Sequence, residues 1–499
     1  MKRREFCGSA LATLVAASTN AGRTLADTLV TAEDLPAISG SGKQIVLTGA
    51  QVGEFRAALR GDLLLASNDG YDQARQIWNG AFDRRPALIA RCTGPADVRQ
   101  AVQFARSNDL LVAVRGGGHS LSGQSVCDGG LMIDLSPMNG VRVDPITRTA
   151  RVEAGALLGS LDRESQAFGL ATTAGTVSHT GVAGLTLGGG FGRIGRKYGL
   201  ACDNLRGVDL ITANGRFIQA GADRNPDLFW GLRGGGGNFG VATSFEFELH
   251  GVSPILLGGH LVYPGEQARR MLEFFAGYVA DAPDELYMAV ALRPAPDGKR
   301  LLLFDICYCG PIETGQRLLE PLRQFQKPLV DAVRPTPYVM LQQASDEAER
   351  RGQCYYTRTG FVKRLEPALL ETLIERTQEP NPVPAIAMIF HCGGAIGRVR
   401  PDATAYLQRE ARHGLIVMTV WNDRTQIDEH AQRVRSIWKE VEPFTKGFYA
   451  NVSGDLTQQR VVDNYGSNLG RLVALKDKYD PTNLFRLNAN VAPSRSATG

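Results

Sequence analysis

Arg115-Gly116-Gly117-Gly118-His119-Ser120-Leu121-Ser122-Gly123 is the stretch on which the reading of this chain turns. Three successive glycines leave backbone amides free to point at an anion, and backbone without side chains lets a pyrophosphate approach closely. Arg115, Ser120 and Ser122 add donors suited to phosphate. His119 follows the glycines directly, where sequence neighbours cover its ring poorly, and residue chemistry alone leaves both a structural and a ligand-facing role open. Upstream, Ala87–Arg91 reads as a strand. Gly94-Pro95-Ala96-Asp97 then turns into a helix near Val98–Ser107, whose Val98, Val102 and Ala105 keep helical spacing. The apolar run Leu110–Val114 leads into the glycines, and Leu131–Leu135 reads as the next strand. Short strands follow at Ala150–Ala154, at Gly207–Thr212 with the hairpin signal Asn214-Gly215, and at Ser244–Leu249. Strand, helix, strand and then further strands predict an α+β domain.

Two more glycine runs lie downstream. Gly188-Gly189-Gly190-Phe191-Gly192-Arg193-Ile194-Gly195 contains a literal Gly-x-Gly-x-x-Gly at 190, 192 and 195. A dinucleotide fingerprint must join a strand directly to a helix. Here Gly181–Leu187 reads as small and turn-like, and Arg196-Lys197-Tyr198-Gly199 does not open a helix, so the sequence argues against a Rossmann site. Gly234–Gly237 follows Leu228-Phe229-Trp230 and precedes a strand; taken alone it also reads as a hairpin turn. Residues 115–240 hold 28 of the 57 glycines, in a chain whose glycine content of about 11% exceeds the usual ~7%. The region 255–440 differs. It has fewer glycines, strands at Tyr287–Leu292, Leu301–Tyr308, Ile386–His391 and Leu415–Trp421, and amphipathic helices at Glu266–Tyr278, Pro367–Glu375 and Ile427–Val441. This pattern predicts an antiparallel sheet with helices on one face. Arg471–Asp480 reads as helix, and Pro481 opens a loop running to Pro493.

At 499 residues the chain has room for two or three domains. Its 55 Lys and Arg against 51 Asp and Glu leave +4, too mild to indicate nucleic acid as a partner. No segment reaches the ~18 apolar residues of a membrane helix. Residues 1–26 read as a signal peptide: a basic start through Arg3-Arg4 and Phe6, then the apolar run Cys7–Ser18. The arginine pair points to twin-arginine machinery and export to the periplasm or beyond, with an ordinary secretory signal as the other reading. The seven remaining cysteines are odd in number and scattered, which is no disulfide framework. Cys307-Tyr308-Cys309 lies in an alternating apolar run and reads as strand core, so no metal site is expected. Without a Gly-x-Ser-x-Gly elbow, His-Glu-x-x-His or Gly-Lys-Ser/Thr, hydrolase, zincin and P-loop readings lose support.

The Arg115–Ser120 run resembles the FAD-linked oxidases of the vanillyl-alcohol-oxidase (PCMH-type) superfamily, and within it the berberine-bridge-enzyme-like group. So do Gly181-Val182-Ala183-Gly184 with Gly188–Gly192, Leu228-Phe229-Trp230 with Arg233–Gly240, and Lys478–Arg486 with Asn488. The resemblance covers about residues 75–495, with four motifs in the right order. It implies an α+β, two-domain fold: a split FAD-binding domain at 50–253 that is completed by 445–499, and a substrate domain at 254–444. It also implies that FAD is held by His119, bonded to the flavin 8α-methyl carbon, with Arg115, Gly116, Gly117, Gly118, Ser120 and Gly123 around it. A second stretch, Gly175, Thr176, Thr180, Gly181, Gly184, Gly188 and Gly189, would join Val241, Tyr465 and Asn488 in the same task.

Departures from the family pattern narrow the reading. Val177 stands where many relatives carry a second flavin-bonding cysteine, so a single covalent attachment is expected, and Cys202 is no substitute. Asn464 and Phe191 stand where tyrosines are common, which weakens carbohydrate or plain alcohol oxidation. Thr180 occupies the position thought to gate oxygen and is small, favouring O2 as acceptor. The implied activity passes hydride from a small organic substrate (alcohol, amine or secondary metabolite) to FAD, with O2 reduced to H2O2. Tyr449, Tyr356 and His179 are the candidates for a general base. A dehydrogenase using another electron carrier, and a flavin-holding protein without turnover, are the alternatives.

Overall fold

The computed structural model describes residues 33–295 and 297–494. Residues 1–26, with the arginine pair from which a signal peptide is expected, lie outside the described residues.

Two sheets share one core in the part that carries the glycine runs. The smaller has the order Asp62–Leu64, Leu88–Arg91, Leu131–Asp134, Val112–Arg115, its last three strands parallel. Parallel neighbours require a crossover, and the helix Pro95–Ser107 supplies one. It opens on Pro95, whose missing amide hydrogen costs nothing in a first turn, and buries Val98, Ala101, Val102 and Ala105 along one stripe. The larger sheet is antiparallel throughout, ordered Phe217–Gly221, Leu205–Ile211, Val241–Glu248, Thr149–Glu153, Val141–Asp144. Its hairpin turns at Asn214-Gly215 as the sequence predicts, with Gly215 at φ +76. The tail returns to this core through Leu472, Leu475, Phe485 and Val491.

The third sheet holds eight antiparallel strands and explains the different texture of the region after 255. Seven follow the path Val330–Asp331, Ile255–Pro264, Arg300–Tyr308, Leu286–Pro294, Ile386–His391, His413–Trp421, Cys354–Val362, and Arg334–Pro337 pairs with the second. Strand alternation sorts its side chains. Met288, Val290, Leu292, Ala387, Ile389, Leu415 and Val417 enter the core beneath the helices Ala268–Tyr278, Ile312–Phe325, Pro367–Gln378 and Ile427–Val441. Their neighbours Tyr287, Ala289, Met388, Phe390, Ile416 and Met418 point the other way, into a cavity. The two-domain α+β architecture implied by the motifs is what the chain adopts.

Several local expectations are corrected. Gly181–Leu187 is not a turn: Val182–Leu187 is helical because Val182, Ala183, Thr186 and Leu187 all find burial, and tertiary packing overrides weak propensity. Gly195–Tyr198 is likewise one helical turn. The Gly-x-Gly-x-x-Gly therefore links two short helices rather than a strand to a helix, and no Rossmann unit forms there. Gly234–Gly237 leads from the helix Pro226–Leu232 into the strand Val241–Glu248 and is no hairpin. Cys307 is fully buried in the strand Arg300–Tyr308, and the seven described cysteines are unbridged.

Candidate functional site

A cavity of about 420 Å³ opens between the glycine-rich loops and the bare face of the eight-stranded sheet, within the range of small-molecule and cofactor sites. The loop after Val112–Arg115 contributes Gly116, Gly117, Gly118, His119 and Ser120. The stretch before and into the helix Val182–Leu187 contributes Gly175, Thr176, Thr180, Gly181 and Gly184, with Gly188 just beyond it. Val241 closes one side, and Tyr465 and Asn488 come from the tail. The loops touch backbone to backbone: a methyl on Gly181 would stand 2.5 Å from the Gly117 nitrogen, and one on Gly116 would stand 2.8 Å from the Ala154 carbonyl oxygen. Only glycine permits this approach.

Three residues assigned to the cofactor from sequence do not line the cavity. Arg115 donates to the Ala74 carbonyl and stands 3.8 Å from the buried Asp134 carboxylate, so its charge is spent within the protein. Gly123 (φ +73) packs against the Phe82 ring, and Gly189 (φ +117) against Tyr406. All three shape the loops from behind.

The polar atoms of the site are prepared for a ligand. The amides of Gly117, Gly118, His119 and Ser120 donate to no described backbone group. His119 Nε2, Ser125 Oγ, Tyr465 OH and Asn488 Oδ1 are buried without a described partner, and all four residues line the cavity. Orphaned buried polar atoms carry a desolvation cost that a polar ligand relieves. An elongated polar group such as FAD fits this combination of bare amides, glycine contacts and orphan atoms. His119 is held flat against Trp78, ring centroids 4.1 Å apart, and Trp78 lies on Tyr355 at 4.0 Å. Burial, aided by the neighbouring His179, drives the His119 pKa down to about 3, so its ring is neutral and nucleophilic at ordinary pH.

A buried network fixes the 175–177 stretch. The Arg193 guanidinium pairs with Asp305 at 2.9 Å and donates to the Thr176 carbonyl at 3.2 Å. Gln342 donates to the Gly175 carbonyl at 2.8 Å and to Asp162 at 3.2 Å. Asp346 holds Ser178 through both its amide and its hydroxyl.

The three candidate bases separate cleanly. Tyr449 lines the cavity with its hydroxyl accepting from Asn451 at 2.9 Å; burial pushes its pKa up to about 12, making it a donor rather than a base near neutrality. Tyr356 lies outside the cavity, its hydroxyl donating to Asp455 under the Arg435 guanidinium on the helical side of the sheet. The neighbouring Thr357 takes the inward position. His179 sits behind His119, ring centroids 5.2 Å apart, and does not line the cavity. Phe191 does line it, packed edge-on against Tyr449 at 5.1 Å, whereas Asn464 turns away to accept from the Phe448 amide.

Sequence reading missed Trp78, Glu349, Arg196 and His391, all of which line the cavity. Arg196 donates to His391 Nε2 at 2.8 Å and to the Ala282 carbonyl at 2.9 Å. Burial first, then the Arg196 charge, holds His391 down to about 2 and His413 down to about 4. Unfolding restores both to an ordinary ~6.5. The unfolded chain then binds protons that the folded one refuses, so stability is whole above pH ~6.5 and falls as pH drops toward 4. Between pH 7 and pH 5 the thermal midpoint of the wild type is expected to fall relative to that of His413→Gln; parallel pH profiles in the two proteins would refute this assignment.

The residues 86–221 match the family model described as FAD binding domain, and 448–492 match the one described as berberine and berberine like. An FAD-linked oxidoreductase of Dictyostelium discoideum is 32% identical over 447 residues, covering 89% of this chain and 97% of the relative. The chain belongs to the berberine-bridge-enzyme-like FAD-linked oxidoreductases. Within that family, the (R)-6-hydroxynicotine oxidase of Paenarthrobacter nicotinovorans is 29% identical over 455 residues, covering 88% of this chain and 98% of its own. The crystal structure of 6-hydroxy-D-nicotine oxidase from Arthrobacter nicotinovorans superposes with a TM-score of 0.80 at 27% identity, covering 87% and 98% of the two chains. As a berberine-bridge-enzyme-like oxidoreductase the protein uses FAD, and the glycine-lined half of the cavity is where such a cofactor fits. No helix among the described residues is long and apolar enough to cross a membrane.

Proposed function

We propose that this protein is an exported oxidase that holds FAD through one covalent bond to His119 and oxidises a small, largely apolar organic molecule against the bare face of the eight-stranded sheet. The observation that carries the reading is the neutral Nε2 of His119, without a partner among the described residues, at a cavity lined on one side by bare amides and on the other by Tyr287, Ala289, Met388, Phe390, Ile416 and Met418. Bound there, FAD supplies the two-electron acceptor and returns the electrons to O2 as H2O2. Gly116–Ser120, Thr176, Gly181, Tyr465 and Asn488 hold it by amide and side-chain contacts. Val177 has no sulfur to form a second bond, and the small Thr180 leaves room for O2. The apolar wall favours alcohols, amines or secondary metabolites over bulky oligosaccharides. The same reading assigns 50–253 and 445–499 to the FAD-binding part and 254–444 to the substrate part, supported by a third sheet whose strands run from Ile255 to Trp421. Residues 1–26 would direct export through the twin-arginine machinery.

The test is anaerobic mixing with a panel of alcohols, phenols, amines and oligosaccharides. A substrate bleaches the flavin absorbance, and admitted air restores it with one equivalent of peroxide. A flavin that bleaches but is not restored by air would instead mark a dehydrogenase serving another carrier, and one that no panel member bleaches removes the proposed substrate range.

A further inference from the structure

Glu349 is the one carboxylate among the described residues that line the cavity. It makes neither an ion pair nor a side-chain hydrogen bond with any described residue, although most acidic groups near the site are paired. Its main chain is anchored. The Trp78 indole donates to the Glu349 carbonyl at 3.0 Å, its own amide donates to Ser345 at 3.0 Å, and Asp346 in the same turn grips Ser178. Trp78 in turn stacks on His119, so the turn bearing Glu349 is one residue removed from the ring that faces the cofactor half of the cavity. Tyr287, Phe390, Met388 and Ile416 line the same cavity and offer no charge. The cations of the lining are already committed: Arg196 donates to His391 and to the carbonyls of Cys392, Ala282 and Pro283. A carboxylate without a described partner, on a fixed backbone in a largely apolar cavity, is placed to meet a hydrogen that the substrate brings.

We propose that Glu349 is the proton acceptor of this site, serving an apolar substrate whose single ionisable hydrogen, on nitrogen or oxygen, meets its carboxylate. The inference rests on the oxidase reading above and deepens it. Glu349 takes the proton alone: the substrate N–H or O–H bond breaks, an O–H bond forms on the carboxyl, and its negative charge passes to the substrate atom. The oxidation's two electrons go to the acceptor that the flavin-linked activity already supplies. Burial, with Asp346 adding to it and Arg193 and Arg293 opposing, holds the Glu349 carboxyl up to about 7, where a base is matched to work near neutrality. Tyr355 also feels its charge, and it remains protonated. Tyr449, the rival in the same lining, has too high a pKa for the task.

Two measurements on the holoenzyme test this. Infrared titration of wild type and Glu349→Gln from pH 5 to 9 should show a carboxylic-acid C=O band that disappears with a midpoint near 7 in the wild type and is missing from the variant; Asp162, the other carboxyl that burial raises to about 7, lies outside the cavity and serves as the control. With any substrate found in the panel, Glu349→Gln should lower kcat/KM by about 10²–10⁴-fold and erase the rising limb of its pH profile near 7, while flavin content and thermal midpoint stay unchanged. Glu349→Asp should restore part of the rate and the limb. The same infrared spectrum in both proteins, or a variant within threefold of wild type with its limb intact, overturns the assignment. Loss of bound flavin in wild type itself would sink the oxidase reading instead, and the infrared result on Glu349 would still stand.

Discussion

Replacing His119 with alanine will leave the tryptic peptide Gly116–Arg142 at its unmodified mass, and acid precipitation will then strip the protein of its yellow colour. The wild type should carry the mass of FAD on that peptide. A covalent bond needs a neutral imidazole nitrogen, and burial keeps this one neutral far below physiological pH. It also needs a nitrogen not already engaged, and Nε2 has no described partner. Stacking on Trp78 fixes the plane of the ring before any ligand arrives, so orientation is supplied by the fold. Retained FAD on the peptide of His119→Ala would show that another side chain makes the bond. Flavin released from acid-treated wild type would show that no covalent bond exists.

Lys476→Met should lower the unfolding free energy by about 3–5 kcal/mol, the usual cost of removing one partner from a buried ion pair. Lys476 and Asp480 are both fully buried. The ammonium donates to Asp480 at 2.7 Å, to the Phe485 carbonyl at 2.9 Å and to the Asn238 carbonyl at 3.0 Å, which satisfies all three hydrogens. Asp480 accepts from the amides of Leu484 and Phe485. Methionine fills the volume but leaves the buried carboxylate without its countercharge and the Asn238 carbonyl without this donor. Because Phe485, Leu487, Asn488 and Ala489 line the cavity, the variant should also bind flavin poorly. Denaturant midpoint and flavin-to-protein ratio measure the two effects; a shift below 1 kcal/mol with full flavin content would show that the pair is dispensable.

The glycine loops and their order were legible because close backbone approach leaves a trace in composition: Gly116, Gly117 and Gly181 are glycines for reasons of space. Ile427–Val441 was legible to the residue because its apolar stripe has one period throughout. Ile312–Phe325 was not, since Pro321 inside it breaks the expected pattern. Tyr356 shows how little separates a site residue from a core residue: one step along Cys354–Val362 puts Thr357 in the cavity and Tyr356 beneath the helices. Glu349 was invisible for another reason. It sits in the polar run Ser345–Gln353, which reads as solvated surface, and contacts distant in sequence, with Trp78 271 positions away and from Asp346 to Ser178, fix its turn at the cavity.

The tail that closes the cavity sets a schedule for making the protein. Asn488 leaves the ribosome about 370 residues after His119, which at roughly 5–20 residues per second is about 20 to 70 s later. Throughout that interval the cavity lacks the tail residues that line it. Cofactor capture is therefore an event of the finished chain, and translation halted before Asn488 yields a protein with an unfinished pocket, however complete its first two hundred residues are.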